Sequence, residues 1–330
     1  MARQTLGQLL ENMASGSPVA LARLMTLVER DGREVGPILE AIAPQLGHAF
    51  TIGVTGPPGA GKSSLVDSLI TLMRAAQKTV GVVAIDPSSP FSGGALLGDR
   101  IRMGQHYLDK GVFIRSMATR GSHGGLARAT TDVMKLLDAF QRDYVLVETV
   151  GVGQTELDVM RATDTVIVTL VPEAGDSVQV MKAGLMEIAD IFVVNKADRD
   201  GAQRMMTDLS LMLELKYSNR PTSEADQPQW KIPVLATQAV NNIGITELYE
   251  AVHAHHQFLA DTHGLERRRK ARRREELLAR IEYQVRRRLT AQVDRDPALA
   301  ALFNDVSEGK LDSHTASAKV LSSEFLKNEG

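Results

Sequence analysis

The sequence predicts an α/β protein built on a doubly wound, mainly parallel sheet with helices on both faces, with a helical cap before it and a helical arm after it. Short β-rich runs alternate with longer stretches of helical periodicity between Phe50 and about Leu259. The runs are apolar almost throughout, as strands covered on both faces are. The long intervals between them suit crossover helices rather than hairpins.

Taken in order, the first apolar residues recur at helical spacing: Leu6, Leu9, Leu10 and Met13, then Leu21, Leu24, Met25 and Val28, then Ile38, Leu39 and Ile42. Ser17-Pro18 and Gly36-Pro37 read as helix starts. Residues 1–48 are therefore expected to form a cap of two or three short helices. Residues 49–260 hold the candidate strands Phe50 to Thr55, Thr79 to Ile85, Val112 to Arg115, Tyr144 to Val147, Thr165 to Val171, Ile191 to Val194 and Val234 to Ala236. Residues 261–330 change character, with Arg267, Arg268, Arg269, Lys270, Arg272, Arg273, Arg274 and Arg286 to Arg288 crowding one stretch. Leu277, Ile281, Val285 and Leu289 recur every fourth residue there, giving an amphipathic helix whose apolar stripe needs burial. A dimerisation arm with a solvated basic face accounts for it better than a nucleic-acid grip. One more short helix is expected from Ala316 to Phe325.

The 330 residues are 43% hydrophobic and 24% charged, which places the chain among globular proteins. Lys plus Arg number 38 against 40 for Asp plus Glu, so no global field exists to hold nucleic acid or an anionic bilayer. Cysteine is absent, which excludes disulfides, a thiolate nucleophile and cysteine-based zinc or nickel sites. The most apolar runs fall far short of the roughly 20 residues that span a bilayer, and the first residues lack a signal-peptide pattern. A soluble, cytoplasmic protein is expected, with neither membrane nor nucleic acid as partner.

Gly56-Pro57-Pro58-Gly59-Ala60-Gly61-Lys62-Ser63 fits G-x-x-x-x-G-K-[ST] between a predicted strand and a predicted helix, the signature of a P-loop NTPase. Its glycines let backbone N–H groups curl around phosphates at a helix N-terminus. Lys62 is expected between the β- and γ-phosphates and the Ser63 hydroxyl on Mg²⁺, with Ser64 among the residues that bind the nucleotide.

Asn195-Lys196-Ala197-Asp198 follows a strand and selects the base. A carboxylate only accepts hydrogen bonds, so Asp198 matches the N1–H and N2–H₂ donors of guanine, where adenine presents an unprotonated N1. Asn195 and Lys196 are expected to brace the loop and cover the base. Ala236-Thr237-Gln238 sits where a second base-contacting loop belongs.

Glu148-Thr149-Val150-Gly151-Val152-Gly153-Gln154 follows the strand Tyr144 to Val147. Its acid suits Mg²⁺, and Gly151 can present its N–H to a γ-phosphate. In the long Gly/Pro/Ser loop after Ile85, Asp86 and Asp99 are further Mg²⁺ candidates, with Arg100 and Arg102 in reach of phosphate oxygens.

Together the strings GPPGAGKSS, DPSSPFSGGALLGDRIRM, RGSHGGL, ETVGVGQTE and NKAD, in this order, resemble the MeaB/ArgK family of GTPases associated with adenosylcobalamin-dependent methylmalonyl-CoA mutase. The resemblance implies a dimeric P-loop GTPase that binds GTP/GDP and Mg²⁺ and acts as chaperone of that mutase, gating cofactor loading and protecting the enzyme. It assigns Lys62, Ser63, Asp86, Asp99 and Glu148 to phosphate and Mg²⁺, and Asn195, Lys196 and Asp198 to guanine. It also marks Pro172 to Lys182 as a further switch that answers to the mutase, with Gln179 and Lys182 as its signalling residues.

Some positions depart from expectation. His123 stands where the RGSxGGL string suggests an apolar residue, and Val152 rather than glutamine follows Gly151. Gln154 is the substitute candidate for positioning water, so slow hydrolysis that a partner accelerates is expected. Competing readings are a protein or amino-acid-transport-related kinase, disfavoured by the guanine loop, and a metal-delivery GTPase for another metalloenzyme, disfavoured by the lack of Cys and of a His-rich tract. His253, His255 and His256 are read as a surface helix end, not a metal site.

Overall fold

Apolar runs flanked by glycine and polar turns become strands here with little drift in their ends. The computed structural model describes residues 4–86, 103–118, 125–149, 151, 153–172, 184–218 and 228–322. Its strands are β1 (Phe50–Thr55), β2 (Val80–Asp86), β3 (Val112–Ala118), β4 (Tyr144–Glu148), β5 (Thr165–Leu170), β6 (Ile191–Asn195) and β7 (Val234–Thr237). They form one seven-stranded sheet in the order β3-β2-β4-β1-β5-β6-β7. Every pairing between them is parallel. The order reverses beside β1, so ligands are expected at its carboxyl end, the switch point of a doubly wound sheet.

Alternation along each strand splits the core into two layers. On one face α4 (Lys62–Ala75) and α9 (Ile245–Asp261) bury Leu65, Leu69, Leu248 and Val252 against Ile52, Val54, Leu146 and Val193. On the other, α5 (Gly125–Ala139), α6 (Gln154–Met160) and α8 (Ala202–Ser218) cover Val145, Val147 and Val168, and the short α7 (Leu185–Ile188) adds Leu185.

The cap consists of α1 (Leu6–Ala14), α2 (Pro18–Glu29) and α3 (Val35–Ile42). Thr5 and Gln8 form a capping box at α1, and Ser17 caps α2 ahead of Pro18. Helix α3 begins two residues before the expected Pro37, which lies in the first turn, where its missing N–H costs nothing. Leu21, Leu24 and Ile38 belong to the same core as Val133, Leu137 and Val145, so the cap packs as part of the sheet's second layer.

The chain divides into two compact units, residues 1–270 and 271–330. Helix α10 (Gly264–Val293) is followed by α11 (Pro297–Ser307) and α12 (Ser313–Ser322). Only one helix is expected after α10 from the sequence; α11 is an additional one, which Asp296 caps through the Ala298 and Leu299 N–H groups. In this unit Leu299, Ala316 and Val320 are buried, whereas Leu277, Ile281 and Val285 are 58%, 48% and 41% exposed. Among the described residues no helix is long and apolar enough to cross a membrane.

Candidate nucleotide site

The loop from Gly56 to Gly61 joins β1 to α4 through three residues of positive φ: Gly56 at 148°, Gly59 at 77° and Gly61 at 86°. Two of these also lack space for a side chain. A Cβ on Gly56 would overlap the Thr169 carbonyl, and one on Gly61 would overlap the Asn195 amide. Gly61 caps α4 without a side-chain hydrogen bond, leaving the helix dipole to face an anion. Pro58 and Gly59 form the exposed crest, Pro57 and Ser64 are half-buried, and Ala60 is buried.

Lys62 and Ser63 open α4 and both are buried. The Lys62 ammonium donates to the Gly56 and Pro57 carbonyls at 2.8 and 3.0 Å, which stations it inside the loop's curl. Ser63 Oγ donates to Glu148 Oε1 at 2.6 Å, and Glu148 is 4% exposed. A hydroxyl at a helix start and a carboxylate at a strand end, both buried, are an all-oxygen donor set, which suits a hard divalent cation. No group of three or more His, Asp or Glu ligands gathers among the described residues, so this pair is their contribution.

Asn195 ends β6 and connects three loops. Its Nδ2 donates to the Ala60 carbonyl at 2.8 Å, and its Oδ1 accepts from Thr237 Oγ1 at 3.0 Å and from the Ala239 N–H at 3.1 Å. Lys196 takes a left-handed φ of 56°, which turns the chain outward, and Asp198 is exposed. Because the Thr237 hydroxyl is committed to Asn195, a base contact from this loop falls to exposed Ala236, to the main chain and to half-buried Gln238. The loop is closed by an antiparallel bridge between Gln238 and Ile243.

Beyond β4, the Gly151 carbonyl accepts from Thr55 Oγ1 at 2.9 Å, and a Cβ on Gly151 would meet nothing within 4 Å. Gln154 begins α6, with its side chain outside the described residues. Asp86 ends β2, two positions past the register partner of Glu148 and so on the same sheet edge; its side chain also lies outside them. Asp99, Arg100, Arg102, His123, Val152, Gln179 and Lys182 all fall outside the described residues.

A family model described as methylmalonyl Co-A mutase-associated GTPase MeaB matches residues 21–294. The chain belongs to the MeaB family. Among relatives of this MeaB-family chain, a Pyrococcus abyssi protein with a provisional GTPase name is 46% identical over 316 residues, covering 96% of each. GTPase ArgK of Escherichia coli is 33% identical, covering 98% of each. The mouse mitochondrial methylmalonic aciduria type A homolog is 34% identical, covering 77% of this chain and 64% of that one. A solved structure described as a LAO/AO transport system kinase shares the fold at a TM-score of 0.70 and 28% identity, covering 99% of this chain and 100% of that one. The MeaB-family chain is accordingly a P-loop GTPase that binds GTP and GDP.

The opposite end of the sheet corrects two expectations. The sequence places Arg268 and Arg269 on a solvated basic face, yet Arg268 grips Asp190 at 2.9 Å and Arg269 grips Asp164 at 2.6 Å. Both aspartates are nearly inaccessible, and Arg269 also donates to the Gly47 and Ala49 carbonyls. His255 is not a surface histidine: it is fully buried, 2.8 Å from Thr165 Oγ1, and tilted against Trp230. Burial pushes its imidazole down to about 4; Asp190 opposes that shift and Arg268 adds to it. Helical spacing shows that His253 and His255 do not share a face, but not which of them points inward.

Proposed function

We propose that this MeaB-family GTPase is a chaperone of an adenosylcobalamin-dependent methylmalonyl-CoA mutase, acting as a homodimer in the cytoplasm and coupling GTP binding and hydrolysis to cofactor loading and protection of the mutase. The observation that carries the nucleotide reading is Asn195, whose amide joins the phosphate loop at Ala60 to both base-reading loops. The mutase reading rests on the family's name and on the methylmalonic aciduria relative.

In this reading Gly56, Gly59, Ala60, Gly61 and Ser64 offer backbone N–H groups to the phosphates, Pro57 and Pro58 shape the loop without donating, and Lys62 moves from the Gly56 and Pro57 carbonyls onto phosphate oxygens. Asp198 accepts the guanine N1–H and N2–H₂ donors, Lys196 covers the base, and Ala236 to Gln238 close over it. Ser63 and Glu148 would hold Mg²⁺, with Asp86 and Asp99 joining them; the ion supplies charge neutralisation at the β- and γ-phosphates. Gly151 donates its N–H to the γ-phosphate, and Gln154 orients water. Gln179 and Lys182 report hydrolysis to the mutase, and the exposed Leu277, Ile281 and Val285 stripe is buried between protomers.

The test is GTP and ATP turnover by the full chain, alone and with methylmalonyl-CoA mutase, repeated with Lys182→Ala. GTP-selective hydrolysis accelerated by the mutase, and lost in Lys182→Ala, is expected. GTP selectivity without acceleration would remove this mutase as client. Preferred ATP turnover would overturn the base reading in favour of a kinase, the activity named for the structurally similar transport-system protein.

A further inference from the structure

Two buried threonines stand beside Gly151, in the segment after β4, without a role so far. In the register of β1 with β4, Val54 faces Glu148, so Thr55 and Thr149 are the next residues on adjacent strands. The Thr149 N–H donates to the Val54 carbonyl at 3.1 Å, carrying the ladder one step past the end of β4. Strand alternation directs both side chains to the face opposite Glu148. There Thr149 Oγ1 lies 2.9 Å from Thr55 Oγ1 and 3.2 Å from the Gly151 carbonyl, while Thr55 Oγ1 lies 2.9 Å from that carbonyl. Thr55 is 0% and Thr149 1% exposed.

A hydroxyl has one proton, so the pattern has a direction. Thr55 gives its proton to the Gly151 carbonyl and accepts from Thr149, whose own proton is shared between Thr55 and the same carbonyl. Water does not reach the two hydroxyls, so this triangle does not exchange readily with solvent hydrogen bonds. Thr55 also directly precedes Gly56. The clamp therefore joins the root of the phosphate loop to Gly151, while Ser63 holds Glu148 from the other face. A glycine has the widest choice of backbone conformations, so two hydrogen bonds to the Gly151 carbonyl narrow the range its adjoining N–H can sample.

We propose that Thr55 and Thr149 are positioning residues, a hydroxyl clamp that orients Gly151 for recognition of the GTP γ-phosphate. The proposal rests on the reading of Gly151 as the γ-phosphate donor. It separates two ligands that differ by one phosphate: removing a hydroxyl weakens GTP binding and slows hydrolysis but leaves GDP, which has no γ-phosphate, unaffected.

The experiment uses the full chain with Thr55→Val, Thr149→Val, the double variant, Thr55→Ser and Thr149→Ser. Affinities for GDP and for a non-hydrolysable GTP analogue are measured with single-turnover GTP hydrolysis. Each valine variant is expected to bind the analogue about 10-fold more weakly and to hydrolyse GTP about 10-fold more slowly, the scale of one buried hydrogen bond. GDP affinity stays within about twofold, serine restores both properties, and the double variant loses little more than either single one, because the hydroxyls act as a unit. Equal weakening of GDP and the analogue would overturn the clamp by making the threonines props of the phosphate loop. Unchanged analogue affinity in both valine variants would overturn it too, as would serine failing to rescue. Gly151→Pro tests the underlying reading separately by deleting the N–H. If it binds the analogue like wild type, the γ-phosphate role of Gly151 fails whatever the threonines do.

Discussion

Asn195 Nδ2 donates to the Ala60 carbonyl at 2.8 Å across 135 residues of sequence, and this one bond ties the end of β6, proposed to open the base-reading loop, to the loop between β1 and α4. The amide fits its partners in a single orientation. Its oxygen faces two donors, Thr237 and Ala239, and its nitrogen faces a carbonyl, so a flipped amide would set like against like at the Ala60 carbonyl and the Ala239 N–H.

Replacing Asn195 should therefore harm binding of either nucleotide. Asn195→Ala leaves the Ala60 carbonyl and the Ala239 N–H to find other partners, at roughly 1–3 kcal/mol for each buried group left unsatisfied. GDP affinity is expected to fall by at least about 10-fold. Asn195→Asp should do as badly or worse, because it sets a carboxylate oxygen against the Ala60 carbonyl. Titration with a fluorescent GDP derivative checks both, and unchanged affinity in Asn195→Ala would show that the bridge does not matter for binding.

Asp198 decides which base is preferred in the proposed reading. Asp198→Asn replaces one acceptor of the carboxylate with an N–H₂ donor, which opposes the guanine donors but matches the C2 carbonyl of xanthine. GTP turnover should drop by about 100-fold or more and xanthosine triphosphate should become the better substrate. Competition between the two nucleotides measures this directly.

How much of this was legible in the sequence depended on how local each signal is. All seven strands were readable because burial on both faces demands continuous apolar runs, and each end moved by only a few residues. The phosphate loop was readable because its glycines answer to positive φ and close approach within eight residues. Clustered arginines look alike in sequence, whereas Arg268 and Arg269 find Asp190 and Asp164 at separations of 78 and 105 residues, which no local pattern records. Thr55 and Thr149 were passed over for the same reason, being 94 residues apart. Helix α11 was legible too: Asp296-Pro297 signals its start, and Leu299, Leu302, Phe303 and Val306 recur at helical spacing.

Ser63 and Glu148 should act as one unit toward Mg²⁺. Glu148→Gln keeps the shape and an acceptor for Ser63 but removes the charge, so GTP hydrolysis should need more Mg²⁺ and fall by about 100-fold at saturation. Ser63→Ala should show the same shift in Mg²⁺ requirement. Turnover measured across a Mg²⁺ titration tests this. An unchanged Mg²⁺ dependence in both would separate the pair from the metal.

Arg269 should be a stability residue with no part in turnover. Its partner Asp164 is 1% exposed, and removing the cation from so buried a carboxylate costs roughly 3 kcal/mol or more. Arg269→Ala should lower the unfolding free energy by about that much in denaturant titration while GTP turnover per folded molecule holds. A loss below about 0.5 kcal/mol would place this pair with ordinary surface ion pairs.

His255 gives the stability a pH dependence of known sign. Its imidazole takes up a proton near 6.5 when the chain is unfolded and near 4 when it is folded, burial being the main cause. Between those values the unfolded chain holds more protons, so stability is complete above about pH 6.5 and falls as the pH falls toward 4. The histidine's share of that loss is about 2 kcal/mol between pH 7.5 and 5, and about 3 kcal/mol by pH 4. His255→Gln should be less stable than wild type at pH 7.5, since it disturbs the packing against Trp230 and the bond to Thr165. Its stability should nevertheless change less with pH, and the gap to wild type should narrow on acidification. Denaturant unfolding of both proteins at pH 7.5, 6 and 5 checks the slope. Parallel pH profiles would mean that His255 is protonated inside the fold, with Asp190 accepting the charge at 3.3 Å.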